Sequence, residues 1–331
     1  MIAAYINKPG PCNEIIVGEV TTPQPMQDEY LIRIKAIALN PIDMYIRAGT
    51  INMPLPKQFI SGCDFAGVVE KVGENCSRFK EGDRVWGSNQ GLLGRQGTSA
   101  EFAAIKEDWL YPSPEGVDDQ QLAATSLVGI TAHLGLFRNV NLKAGETIFV
   151  NGGTGGVGSM VVQMAKAIGA KVITTVGSSA KEDLCRSWGA DKVINYKTDD
   201  IPKEVRDYTN NLGVHVWFET QREPDFFKIV DLMAPRGRII IMAGRTAQPL
   251  FPVGPFYVKG LTLTGFAMFN ATPDEQRRCA NDINAWLASG KLKSHIGAAF
   301  PLSKAAEAHK LLEENTLKGT GTLSGKVILL P

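Results

Sequence analysis

Three glycines carry the clearest chemistry in this chain. They form a Gly-x-Gly-x-x-Gly run, Gly153-Thr154-Gly155-Gly156-Val157-Gly158. Between a strand and a helix, the first glycine of such a run permits a tight turn, the second lets backbone approach a pyrophosphate, and the third lets helix pack on strand. The phosphates then lie at the helix N-terminus, where unpaired N–H groups and the macrodipole favour negative charge. The end of the next strand decides which dinucleotide fits. NAD-specific sites hold an Asp or Glu about twenty residues past the glycines, on the ribose 2′-hydroxyl. Here Val176 is followed by Gly177-Ser178-Ser179-Ala180-Lys181. Open backbone, two hydroxyls and a cation suit a 2′-phosphate, so the pattern expects NADPH. Glu182 and Asp183 fall in the first turn of the following helix, where acids complement the macrodipole. Ser178 and Ser179 also read as helix caps, and both roles are compatible. No other catalytic apparatus is written in the chain. There is no His-Glu-x-x-His, no Gly-x-Ser-x-Gly, and the four histidines are widely spaced. Five cysteines, odd in number and far apart, read as reduced thiols rather than a disulfide frame or a Cys-x-x-Cys metal site.

The elements that must position these glycines follow from periodicity. Ile148, Phe149 and Val150 form a buried-strand run into the turn. Val157, Val161, Met164, Ala165 and Ile168 share one helical face, Gly169 stops that helix, and Lys171 to Val176 is the next strand. Further strands are expected at 193–195, 214–219, 238–243 and 261–265, with helices between the early ones. The result is an α/β fold, a doubly wound parallel sheet of the Rossmann kind over 125–267. Ala243-Gly244 ends a strand where a ligand would lie, outside the carboxyl edge. The same glycines also contain Gly152-x-x-x-Gly156-x-Gly158, the spacing of short-chain dehydrogenases. Those enzymes use Tyr-x-x-x-Lys, and none of the seven tyrosines here has Lys four residues on.

The chain of 331 residues is long enough for two domains, and 44% hydrophobic with 21% charged residues is ordinary globular composition. A net charge of +1 without a Lys/Arg block argues against nucleic-acid or anionic-membrane binding. No apolar run reaches a membrane-spanning length, and the start reads as a strand rather than a signal peptide, so a cytoplasmic protein is expected. Residues 1 to about 124 are turn-rich and strand-rich, an irregular β domain. Helix is expected from Asp119 to Leu136, from the Thr272-Pro-Asp-Glu275 capping box through Trp286, and from Ser303. Gly325 to Leu330 reads as a closing strand.

Three segments precede the glycine site in fixed order: Asn40-Pro-Ile-Asp43-Met-Tyr45-Ile-Arg47-Ala-Gly49, Gly62-Cys63-Asp64 to Gly73, and Gly82-Asp83-Arg84-Val85. Together they resemble the medium-chain dehydrogenase/reductase superfamily over essentially the full chain, which implies a GroES-like domain (1–124, with 268–331 returning to it) ahead of the Rossmann domain. Zinc alcohol dehydrogenases of that superfamily carry a Cys where Asn40 stands, a His where Cys63 stands, and a cysteine lobe where 87–97 has none. No zinc is expected, since a catalytic zinc needs about three protein ligands. Asn40 to Gly49 resembles the zinc-free, zeta-crystallin-like NADPH:quinone oxidoreductase branch. That resemblance implies Asn40 and Tyr45 at the nicotinamide and substrate. It also implies Thr131 on the nicotinamide, Tyr196 near the 2′-phosphate, Phe266 and Met268 beside the nicotinamide, Lys326 near the cofactor, and a homodimer through the last Rossmann strand. Asp43 and Arg47 read either as site groups or as a structural pair. The implied activity is hydride transfer from NADPH to a quinone or enone in a cleft between the domains. An enoyl-thioester reductase and a non-catalytic NADPH-binding protein of the crystallin type are the alternatives.

Overall fold

A computed structural model describes residues 1–320 and 322–331. The chain divides into two compact units, Met1–Leu127 with Pro273–Pro331, and Val128–Thr272.

The first unit opens with β1 (Ile2–Ile6), β2 (Ile16–Glu19) and β3 (Glu29–Leu39), then helix α1 (Pro41–Arg47). There follow β4 (Phe59–Ile60), β5 (Asp64–Val72), β6 (Arg84–Gly87), β7 (Phe102–Lys106) and β8 (Leu110–Pro112). β3 alternates where it is half exposed, with Ile32 and Ile34 inward and Arg33 and Lys35 outward, then buries every residue from Ala36 to Leu39. That last stretch is apolar because it is covered on both faces, and it delivers Asn40 into the interior. β3 pairs antiparallel with β5, while its other edge is shared by β7 near Glu29–Arg33 and by a C-terminal strand at Ile37–Leu39. α2 (Asp119–His133) begins in this unit and ends in the next. It widens into a π turn over Leu134–Asn139, where Val140 N–H reaches Gly135 O and the Asn139 amide donates to Leu134 O at 2.8 Å. The regular helix therefore stops before Leu136.

The second unit alternates strictly: β9 (Thr147–Asn151), α3 (Gly156–Ala167), β10 (Lys171–Val176), α4 (Ser179–Ser187), β11 (Lys192–Asn195), α5 (Ile201–Tyr208) and β12 (Val214–Glu219). α6 (Phe226–Leu232), β13 (Met233–Ile241), α7 (Val253–Val258) and β14 (Thr262–Gly265) complete it. Asp200 and Asp225 start α5 and α6 by accepting from the N–H groups of Lys203 and Lys228. The six strands form one parallel sheet in the order β11-β10-β9-β12-β13-β14. Strand order reverses between β9 and β12, the point at which an open α/β sheet binds ligand beyond its carboxyl edge. Phe149 stacks on Trp217 across that pair, ring centres 3.9 Å apart, and Ile173, Ile194 and Ile239 extend the same core. Each such buried aliphatic side chain contributes about 1.5–3 kcal/mol.

The chain then returns to the first unit with α8 (Pro273–Ala288), β15 (Ile296–Pro301), α9 (Ala305–Leu317) and β16 (Lys326–Leu330). A 3-10 turn at Leu302–Lys304 precedes α9, so Lys304 rather than Ser303 stands at its cap. β16 pairs antiparallel with β3 through Val327, Ile328 and Leu329. Among the described residues no helix is long and apolar enough to cross a membrane.

Candidate active site

In the second unit the glycine turn is built by close packing. The positive φ lies at Gly152 (+92°), one residue before the run. Gly153 is glycine for another reason: a Cβ there would meet Thr174 Oγ1 of β10 at 2.1 Å. A Cβ at Gly158 would meet Gly152 O at 2.1 Å, so α3 can approach β9 only through glycine. At Gly155 the nearest atom is 3.4 Å away, which leaves the exposed approach that a phosphate needs. Gly152 N–H is fixed by Thr175 Oγ1 at 2.9 Å and Gly153 N–H by Thr175 O at 3.0 Å. α3 begins at Gly156 with Gly155 as its cap, and the cap has no side chain to occupy the first-turn N–H groups. Thr154 and Val157 are part-exposed around it, and a helix N-terminus of this kind is suited to an anion.

At the end of β10 the structure brings Tyr196 against Gly177, directly before Ser178. The ring of Tyr196, 56% exposed, lies against Gly177, where a Cβ would sit 2.5 Å from the phenolic oxygen. Tyr196 N–H donates to Val176 O at 3.0 Å, which fixes that placement. Ser178 caps α4 in extended backbone without a side-chain cap bond, so its exposed hydroxyl is not taken up by the helix. Among the described residues Lys181 forms no ion pair. Glu182 lies 3.4 Å from Asn195 Nδ2 and 3.9 Å from Arg186.

A polar network at the strand-order reversal was not foreseen from the sequence. Glu219, at the carboxyl end of β12 and 2% exposed, accepts from Asn151 Nδ2 (2.9 and 3.0 Å), Trp217 Nε1 (3.0 Å) and Gln221 N–H (2.8 Å). Burial raises its pKa while these donors oppose the shift. Asn151 Oδ1 in turn accepts from Thr175, the residue that holds Gly152. The available signal is a polar residue closing each apolar run, Phe-Val-Asn and Trp-Phe-Glu. Gly244 (φ +85°) turns the chain after β13, next to half-buried Ala243. Phe266 follows β14 with the Arg138 guanidinium 5.9 Å from its ring centre, and Met268 and Thr131 are buried.

In the first unit the predicted residues gather around α1. Asn40 is wholly buried at its head: its N–H donates to Asp43 Oδ2 (2.8 Å), and its amide donates to Ala38 O (3.1 Å) and Asp64 Oδ2 (2.8 Å). Its Oδ1 accepts from Lys326 Nζ. Both amide hydrogens are thus used inside the protein. Lys326 is not an exposed strand-edge lysine; it is 7% exposed, bonds Leu39 O at 3.0 Å, and lies 4.0 Å from Asp64. Asp43 and Arg47 do not pair with each other. Asp43 takes the N–H groups of Asn40 and Cys63, and burial with Asp64 nearby pushes its pKa up to about 7. Arg47, at the other end of α1, donates to Gly10 O (2.7 Å) and to Glu313 of α9. Burial lowers the pKa of Lys326 and raises that of Asp64, each opposed by the other's charge. Between these anchors Tyr45 is half-buried, and its hydroxyl has no hydrogen-bond partner among the described residues.

The donor set around Asn40 and Cys63 does not fit a catalytic zinc. Asn40 has no anionic donor and its carbonyl oxygen already holds an ammonium. The Cys63 thiol is buried, with its pKa pushed well up by burial and by Asp64. Among the described residues no cluster of three or more His, Cys, Asp or Glu side chains is arranged to hold a metal.

Comparison with known proteins agrees with this architecture. The alcohol dehydrogenase GroES-like domain family matches residues 26–115, and the zinc-binding dehydrogenase family matches residues 156–285. Human quinone oxidoreductase is 33% identical over 95% of this chain and 92% of its own length. The crystal structure of Escherichia coli quinone oxidoreductase complexed with NADPH superposes with a TM-score of 0.86 at 28% identity, over 100% of both chains. An NAD-dependent alcohol dehydrogenase structure reaches 0.90 at 29% identity with the same coverage. The protein is an oxidoreductase of the medium-chain dehydrogenase/reductase superfamily, and it belongs to the quinone oxidoreductase branch.

Proposed function

We propose that the protein transfers a hydride from NADPH, without zinc, to a quinone or an α,β-unsaturated carbonyl compound. The observation that carries this reading is Tyr45. Its hydroxyl is unpaired among the described residues, while Asn40, Asp43 and Arg47 around it are bonded within the protein. When bound, the reduced nicotinamide supplies a hydride. A conjugated carbonyl accepts it at an electron-poor carbon, and the negative charge moves to oxygen. Tyr45 stabilises that oxygen by donating its hydroxyl hydrogen, a placed donor acting where charge develops. Proton delivery from Tyr45 or from water completes the reduction to a hydroquinone or a saturated carbonyl. Asn40 enters through its place at the head of α1; with both amide hydrogens already donated, the direct contact falls to Tyr45.

NADPH rather than NADH is supported by the corner at the end of β10. Ser178 and Lys181, the latter without an ion pair among the described residues, follow Gly177, against which Tyr196 lies, and Glu182 is near Asn195 and Arg186. The fold alone does not choose, because both an NADPH complex and an NAD-dependent enzyme share it. Gly153, Thr154, Gly155, Gly156, Val157 and Gly158 would take the pyrophosphate, and Thr131, Ala243, Gly244, Phe266 and Met268 the nicotinamide half. We assign a second copy of the chain as partner, through the outer edge of β14. That strand is paired on one side only among the described residues.

Tyr45→Phe tests the chemistry. Loss of one oxyanion donor is expected to lower kcat with 1,4-benzoquinone or an enone by roughly ten- to a hundredfold, leaving the Kd for NADPH unchanged. An unaltered kcat would return Tyr45 to a packing role.

A further inference from the structure

α1 is seven residues long, too short to hold its own direction, so its orientation is set by whatever grips its ends. The grip at the tail is Arg47 with Glu313 of α9 and Gly10 O. The grip at the head is Asn40, and every polar atom of that residue's amide is used. Its oxygen is held by Lys326, the first residue of β16, which lies 286 positions away along the chain.

We propose that Lys326 is a positioning residue for the reaction, fixing α1 through Asn40 so that the Tyr45 hydroxyl stays aimed at the substrate oxygen. This rests on the reading of Tyr45 as the donor. Three observations carry it. The ammonium has three hydrogens, and two go to Leu39 O and Asn40 Oδ1, the last strand position and the cap that start the helix. The charge faces Asp64 at 4.0 Å, which is what allows a lysine only 7% exposed. Asp64 also bonds Asn40 Nδ2, Ser88 Oγ (2.6 Å) and Leu127 N–H (3.1 Å). Lys326 and Asp64 thus clamp the two sides of one amide, and that amide leads directly into α1. With two of its three hydrogens bonded within the protein and its charge facing Asp64, the ammonium is turned to the head of α1. A displacement of about 1 Å in a reacting group can cost on the order of a hundredfold in rate, so a loose α1 would be felt in turnover before it was felt in cofactor binding.

The test uses the full-length protein with NADPH and 1,4-benzoquinone. Lys326→Met leaves Asp64 buried without its cation and can unfold the first unit. The deciding variant is therefore Lys326→Met with Asp64→Asn, which removes both charges. The expected result is a kcat lowered about tenfold or more with the Kd for NADPH within about twofold of wild type. Lys326→Arg, which keeps a cation, should recover part of the loss. In a Tyr45→Phe background the same pair of substitutions should lower kcat no further, because the group they position is gone. A raised Kd for NADPH with kcat unchanged would make Lys326 a cofactor contact and overturn the proposal. Losses that multiply in the Tyr45→Phe background would show that it acts by another route. Wild-type kcat in Tyr45→Phe alone would instead remove the reading of Tyr45 itself, a separate and distinguishable failure.

Discussion

In the proposed function, cofactor choice turns on Lys181. It stands in α4 close behind Ser178, without an ion-pair partner among the described residues, and no carboxylate follows Val176 directly. A charge-assisted contact to a phosphate is worth about 1.5–3 kcal/mol. Lys181→Glu should therefore weaken NADPH binding at least about tenfold and leave NADH nearly unchanged, read by titration of each reduced cofactor. Equal weakening of both would take Lys181 away from the 2′-phosphate. This corner is legible in the sequence because all its parts but Tyr196 lie within a few residues of one another. The head of α1 is not. Asn40 before Pro41 reads as a turn or a pocket residue, and nothing local shows that Lys326 from the far end of the chain saturates its oxygen. Asp43 and Arg47 suggest a pair by spacing, yet burial sends each to a separate partner, Asp43 to backbone N–H groups and Arg47 to Glu313.

Among the elements, the central strands of the parallel sheet are the most legible, because burial on both faces leaves apolar runs that turns and helices punctuate. The π turn at Leu134–Asn139 is not legible, since its periodicity continues that of α2 while its hydrogen bonds widen. α7 has no strong pattern either, and the proposed dimer would give its exposed apolar side chains a role. Leu250, Val253, Tyr257 and Val258 are 80%, 64%, 69% and 73% exposed, and the chain then enters β14, whose outer edge is unpaired among the described residues. An exposed strand edge next to apolar side chains is a surface that proteins ordinarily cover. Sedimentation equilibrium should find twice the 35.9 kDa chain mass, and Val253→Lys with Tyr257→Lys should shift it to the single mass with the fold retained by circular dichroism. A monomeric wild-type protein would leave this face without the partner assigned to it.

For the molecule as a whole, the proposed function draws on a glycine turn in the second unit and, in the first, on a clamped helix whose Tyr45 hydroxyl has no partner among the described residues. A net charge of +1 gives no field to steer a charged macromolecule, which agrees with a small neutral substrate. Zinc enters only through the wider superfamily, and the Asn40, Cys63 and Lys326 set offers it no anionic cage. Oxidation of NADPH by 1,4-benzoquinone and by an enone, followed by loss of the nicotinamide absorbance in the presence of chelator, tests the central claim most directly. The account predicts turnover with NADPH that chelator does not diminish and that NADH supports at least about tenfold less well, with no stoichiometric zinc by elemental analysis. No turnover with either acceptor, or one zinc per chain lost together with the activity, would contradict it.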